Sequence, residues 1–234
     1  MNILLTIAVT FFAGMGAGLG TGFAGMSAAA VISPMLITFL KMDPYMAVGI
    51  ALSSDVLASA VSAYIYGKNK NLDIKNGIIM MISVLTFTVV GSYIASLLPA
   101  ATMGSFSVFM TFLLGIKFIV RPVMTTKEAM QGVSAKKRAI QSVVCGIMIG
   151  LICGFVGAGG GMMMLLILTS VLGYELKTAV GTSVFIMAFT AFTGAVSHFM
   201  IVGAPDWTVF ILCVVFTLIW ARIAARFANK ATPE

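Results

Sequence analysis

The stretch Gly20-Thr21-Gly22-Phe23-Ala24-Gly25-Met26-Ser27-Ala28-Ala29-Ala30-Val31-Ile32-Ser33-Pro34 decides how this chain is read, because part of it returns 132 positions later. Gly22-Phe23-Ala24-Gly25 lies on Gly154-Phe155-Val156-Gly157, and without a gap Ala47-Val48-Gly49 lies on Ala179-Val180-Gly181. Gly14, Gly18 and Leu19 fall on Gly146, Gly150 and Leu151. The register therefore holds over roughly fifty residues, the mark of an internal repeat.

The surroundings of both copies are apolar. Of 234 residues, 60% are hydrophobic and 9% charged, and the mean hydropathy is +1.11. No soluble fold of this length buries that much apolar surface. Uncharged runs recur from residue 3 to residue 225, and a bilayer core takes roughly 20 apolar residues per helical span. The expected class is an all-α polytopic membrane protein with one transmembrane domain over residues 1–234. The opening run lacks the basic region of a signal peptide and has a mid-chain match, so it belongs to the fold.

Nine helical segments are expected: 3–20, 26–40, 45–66, 75–97 and 102–120, then 139–154, 160–172, 178–199 and 206–225. Repeat one covers 1–120, a basic linker 121–138, and repeat two 139–234, which ends without a counterpart of 102–120; a naturally short chain and a truncated one both fit. The two segments around each glycine turn are too short together for two comfortable spans. Each pair reads as two short helices or a re-entrant hairpin, and both return the chain to the side it came from.

The net charge of +7 resides in clusters: Lys68, Lys70 and Lys75; Arg121, Lys127, Lys136, Lys137 and Arg138; Arg222, Arg226 and Lys230. Clusters beside apolar spans mark cytoplasmic loops. They lack the aromatic interleaving of a nucleic-acid surface, so no nucleic acid is expected as partner. Counting spans from them places the N-terminus outside and the C-terminus in the cytoplasm, with the halves entering the cell (inner) membrane from opposite sides. That is the inverted-topology plan of many secondary transporters, whose substrates bind where Gly-interrupted segments meet near the midplane.

The candidate site follows. Gly22, Phe23, Gly25 and Ser27 in one turn, and Gly157, Gly159, Gly160 and Gly161 in the other, bring backbone close to a ligand at the start of a short helix. Such a helix start offers N–H groups and a positive dipole end to an anion. Small residues also simply permit close helix packing. The third segments add Ser53, Ser54, Thr182 and Ser183, with Ser59, Ser62, Thr190, Thr193 and Ser197 further along. Asp55, Ser59, Ser62 and Tyr66 share one helix face, which should point inward. Asp55, at mid-span, is costly there and is read as a proton relay. His198, the sole histidine, is the second proton-coupling candidate. Cys145, Cys153 and Cys213 have no ligand spacing, so no metal is expected.

Gly22-Phe23-Ala24-Gly25 with Pro34, GFVGAGGG at 154–161, AVGTSVFIMAFTAFTGAVSHF at 179–199 and the G-x-P-D-W ending at Trp207 resemble the sulfite exporter TauE/SafE family. The resemblance implies a secondary transporter for a small sulfur-containing anion such as sulfite or an organosulfonate, without a cofactor. Expected partners are that anion, the lipid bilayer and a second copy in a homo-oligomer. GMSAAA at 25–30 and Ser53-Ser54-Asp55 depart from the family pattern and leave the substrate open. Channels and carriers of other small ions remain alternatives. A protease-like triad of Ser183, His198 and Asp55 lacks the G-x-S-G setting of intramembrane serine enzymes, so no enzyme is expected.

Overall fold

A computed structural model describes residues 3–96, 134–156 and 160–231. Within them the protein is all helical: α1 Ile3–Ala24, α2 Ala29–Leu40, α3 Pro44–Lys68, α4 Ile74–Ser96, α5 Ala135–Val156, α6 Gly160–Ser170, α7 Leu176–Val202 and α8 Trp207–Lys230. Helix is the form in which an apolar chain satisfies its own backbone hydrogen bonds in lipid. Among the described residues five helices are long and apolar enough to cross a membrane, namely α1, α3, α4, α7 and α8. Segment 102–120 and residues 121–133 of the linker lie outside the described residues.

Starts and stops follow local chemistry. Asp43 accepts from the Met46 N–H, with Pro44 in the first turn of α3, and Glu175 accepts from the Thr178 N–H at the start of α7. Asp206 caps α8 through the Thr208 and Val209 N–H groups. These are ordinary N-caps that satisfy orphan donors. α2 ends at Lys41 in the left-handed region, φ 53°.

One expectation changes. α1 and α5 are each 22 residues long, so only the second member of each pair is short: α2 has 12 residues and α6 has 11. α1 does not stop at residue 20. Gly14, Gly18 and Gly22 face α8 so closely that a Cβ on any of them would meet Phe216, Thr217, Ala221 or Ala224 at 2.5–2.7 Å. Packing of this kind holds a glycine-rich stretch in helix that propensity alone would release.

The offset of 132 recurs in the helix limits. Advancing α1 by 132 gives 135–156, the bounds of α5; α3 gives 176–200, within α7, and α4 gives 206–228, nearly α8. α1 packs on α8, and α5 packs on α4 through Gly146 and Gly150, which sit against Met80, Ser83, Val84 and Phe87. Each half thus lends its first helix to the last described helix of the other. α3 and α7 pack together in the centre, where Gly49 meets His198 and Phe199 while Gly181 meets Tyr66 and Asn71.

The two ends of the bundle differ in charge. Lys68, Lys70, Lys75, Lys136, Lys137 and Lys230 are exposed at the end where α3 finishes and α5 begins. Asn71 donates to Asn229 at 2.7 Å there, and Lys177 reaches the Asn229 carbonyl at 3.3 Å. At the opposite end the described residues place Lys41 beside Asp43, with Asp206 at the start of α8. The α1–α2 pair starts and finishes at that end, and the α5–α6 pair starts and finishes at the basic end.

Candidate functional site

The first glycine turn is built on Gly25. Its φ of +60° is one that residues with a Cβ rarely adopt, and it lets the chain reverse out of α1. The Gly25 N–H bonds the Thr21 carbonyl at 3.0 Å, and the Thr21 hydroxyl donates to the Met26 carbonyl at 2.8 Å, so the turn is self-supporting. Ser27 follows, fully enclosed at the start of α2.

Asp55, in the middle of α3, meets that start. Its carboxylate accepts from the Ser27 hydroxyl at 2.7 Å and from the Ser59 hydroxyl at 3.0 Å, with the Ala28 N–H also bonded to it. A negative side chain from one helix therefore serves the unpaired donors and positive end of another. Asp55, Ser59, Ser62 and Tyr66 are all buried along one face, as their spacing requires.

The start of α6 packs directly on the first turn. A Cβ on Gly161 would run into the Gly25 carbonyl oxygen, with Met187 Sδ at 2.7 Å and the Ser27 nitrogen at 3.1 Å. Met187 stands 132 positions after Asp55. Where α2 has a carboxylate at its start, α6 has a thioether.

A cavity of about 510 Å³ opens on this junction. Ser27, Asp55, Gly160, Gly161 and Met187 form its floor; Thr190, Thr193, Ser197 and His198 run up one wall on α7, and Leu52, Val84, Leu85, Thr88 and Val89 supply a mostly apolar wall from α3 and α4. Among the described residues the lining holds two ionisable side chains, Asp55 and His198, and neither lysine nor arginine.

Of the sequence candidates, Ser27, Asp55, Gly160, Gly161 and His198 are brought together on the lining. Gly25 and Ser183 lie just beneath, since a Cβ on Gly25 would run into the Ser183 hydroxyl, which itself donates to the Val180 carbonyl at 2.9 Å. Ser53 and Ser54 bond their own helix, at the Gly49 and Ile50 carbonyls. The Thr182 hydroxyl accepts from the Asp73 N–H at 3.2 Å, away from the cavity. Gly22 packs on α8 and offers its carbonyl to Tyr66 at 2.9 Å; Phe23 is 43% exposed and edge-on to Phe227. Gly157 and Gly159 lie outside the described residues.

Sequence reasoning left Thr88 and Met187 out of the site. Met187 was findable as the repeat partner of Asp55 and as the start of the 187, 190, 194, 197 spacing along one face of α7. Thr88 is one of several hydroxyl residues in its segment, beside Ser83 and Thr86, and only the packing of α4 singles it out.

The family model described as Sulfite exporter TauE/SafE matches residues 10–234. Probable membrane transporter protein YunE of Bacillus subtilis (strain 168) is 26% identical over 203 residues, covering 81% of this chain and 74% of the relative. Probable membrane transporter protein YdhB of the same organism is 24% identical over 216 residues, covering 91% of this chain and 86% of the relative. No solved structure matches the chain at a significant level.

Proposed function

The chain belongs to the sulfite exporter TauE/SafE family, whose similar proteins are named membrane transporters, and from that premise we propose a secondary transporter that moves a small sulfur-containing anion, sulfite or an organosulfonate, coupled to protons. The observation that carries the reading is the unequal treatment of the two helix starts at the cavity floor. Asp55 occupies the start of α2, whereas Met187 in the matching place leaves Gly160 and Gly161 of α6 on the lining.

The anion then binds at the N-terminus of α6, where backbone N–H groups and the helix dipole favour negative charge without a buried lysine or arginine. The Thr190 and Ser197 hydroxyls, which donate to the Met187 and Thr193 carbonyls of their own helix, turn to the anion as donors when it binds, while the Ser27 hydroxyl stays on Asp55. A carboxylate beside an anion's path repels it unless it carries a proton, which gives Asp55 the coupling role, with His198 toward the far end of the cavity. The two hairpins opening to opposite ends are read as inverted repeats that rock about the cavity. By the positive-inside rule the basic end faces the cytoplasm of a cell (inner) membrane, and the N-terminus lies outside.

Purified protein in liposomes with an imposed pH gradient tests this, with sulfite, thiosulfate, sulfoacetate and taurine compared against acetate and chloride. The expected result is saturable flux of a sulfur oxyanion that falls at least tenfold in Gly160→Val, where a side chain enters the floor. Non-saturable flux of chloride and acetate would point to a channel and overturn the proposal.

A further inference from the structure

Below the cavity floor the bundle is sealed toward its basic end. Every α7 residue from Thr178 to Val184 is buried, a plug about 10 Å deep at the rise of a helix. One side chain ties this seal together. Asp73, in the loop before α4, accepts the Tyr174 hydroxyl at 2.8 Å and the Asn76 side-chain amide at 2.7 Å on the same oxygen, while Arg138 lies 3.9 Å from it. The Asp73 N–H meanwhile donates to Thr182. Asp73 belongs to the first half, Tyr174 and Thr182 to the second, and Arg138 is the last residue of the linker between them. Asp73 and Arg138 side chains are each 15% accessible, so their attraction is stronger than that of a surface pair. Burial first, then the neighbouring Asp73 charge, pushes the Tyr174 hydroxyl's pKa up, which keeps it a neutral donor.

The repeat shows that this cluster has no twin. At the positions related by 132, Asp73 matches Pro205, Tyr174 matches Met42, Arg138 matches Thr6 and Thr182 matches Ile50. None of those four provides a charge, and only Thr6 has a polar side chain. At the opposite end Asp43 and Asp206 each cap their own helix. Among the described residues, a bundle whose helices pair reciprocally thus carries this Asp73–Tyr174 cross-link between its halves at the basic end, with no counterpart at the related positions.

We propose that Asp73 and Tyr174 form a one-sided latch, which holds the basic end of the cavity shut and must break for bound substrate to pass between the halves. The latch biases the resting protein toward the state closed at the basic end, because a hydrogen bond to a charged group is present in that state and lost in the other. This rests on the transport reading, but it concerns residues off the cavity lining.

The test is the reactivity of a single cysteine, Ser183→Cys, between floor and latch, in a chain whose Cys145, Cys153 and Cys213 are replaced by Ala. A membrane-impermeant maleimide is applied to sealed vesicles of either orientation. With the latch intact, labelling from the basic side is slow. The other Asp73 oxygen accepts the Asn76 N–H at 3.1 Å at the start of α4, a cap that Asp73→Asn keeps, and Tyr174→Phe keeps the ring packing. Each is expected to speed labelling from the basic side about tenfold, without speeding it from the other side. Unchanged rates, or rates that rise equally from both sides, overturn the latch. Faster basic-side labelling without anion transport would sink the transport reading and leave the latch standing; transport with unchanged labelling would do the reverse.

Discussion

Ser27, on the turn before α2, donates its hydroxyl to Asp55 of α3 at 2.7 Å, although the two are 28 residues apart. The bond places a carboxylate against the start of a short helix inside the membrane domain. If that carboxylate relays the coupling proton, Asp55→Asn removes the titrating group while leaving a polar partner for Ser27. Gradient-driven flux is expected to fall more than tenfold, while counterflow exchange in the absence of a gradient persists. Unchanged pH-driven transport in the variant would remove the relay.

The contact of Gly161 with the first glycine turn makes a second prediction. In Gly161→Ala the new methyl meets the Gly25 carbonyl oxygen, a backbone atom that cannot move aside without shifting the turn. In Gly25→Ala it meets the Ser183 hydroxyl, which can rotate, so the main penalty is the positive φ, about 1–2 kcal/mol. Gly161→Ala should therefore lower the melting temperature of the detergent-solubilised protein at least as much as Gly25→Ala. The reverse order would mean that α6 lies further from the Gly25 turn than described.

On α1, Gly16 and Gly18 are two residues apart yet should respond differently. A Cβ on Gly18 meets the Thr217 carbonyl, Trp220 and Ala221 at 2.5–2.8 Å, whereas one on Gly16 meets only a methyl of Val31, at 3.2 Å. Gly18→Ala is expected to destabilise by about 1–3 kcal/mol, as overpacking does. Gly16→Ala should change little, because helix propensity offsets the mild crowding. Thermal unfolding in one detergent, compared for both variants, decides it.

Orientation gives a fourth expectation. Lys68, Lys70, Lys75, Lys136 and Lys137 are exposed at one end of the bundle. A reporter active only in the cytoplasm, fused after residue 234, should be active. Replacing Lys68, Lys70 and Lys75 together by Gln should lower that activity as part of the population inserts the other way round. An inactive reporter on correctly folded protein would reverse the assignment.

Much of this was legible in the residues. Gly22-Phe23-Ala24-Gly25 located the first turn, at Gly25, and the 4, 3, 4 spacing from Asp55 to Tyr66 found a face that is buried at every position. Helix limits were off by up to five residues, at the end of α8, and by four at the end of α1, where Gly14, Gly18 and Gly22 read as helix-weakening in isolation and as contact surface once α8 lies against them. Phe23 read as a site residue from its place in the motif, but its side chain projects outward onto Phe227. A motif does not say which way each of its side chains points.

By itself, the sequence determined what local regularities encode: an apolar helical chain, a glycine turn after α1 and a carboxylate on an inward face. Tertiary structure alone decided which helix start Asp55 serves, that α1 pairs with α8 and α5 with α4, and that Asp73 meets Tyr174, 101 residues away. Helical periodicity and capping act over a few neighbouring residues, so they can be read along the chain. Which surfaces then meet depends on packing complementarity among elements distant in sequence, and no local pattern carries it.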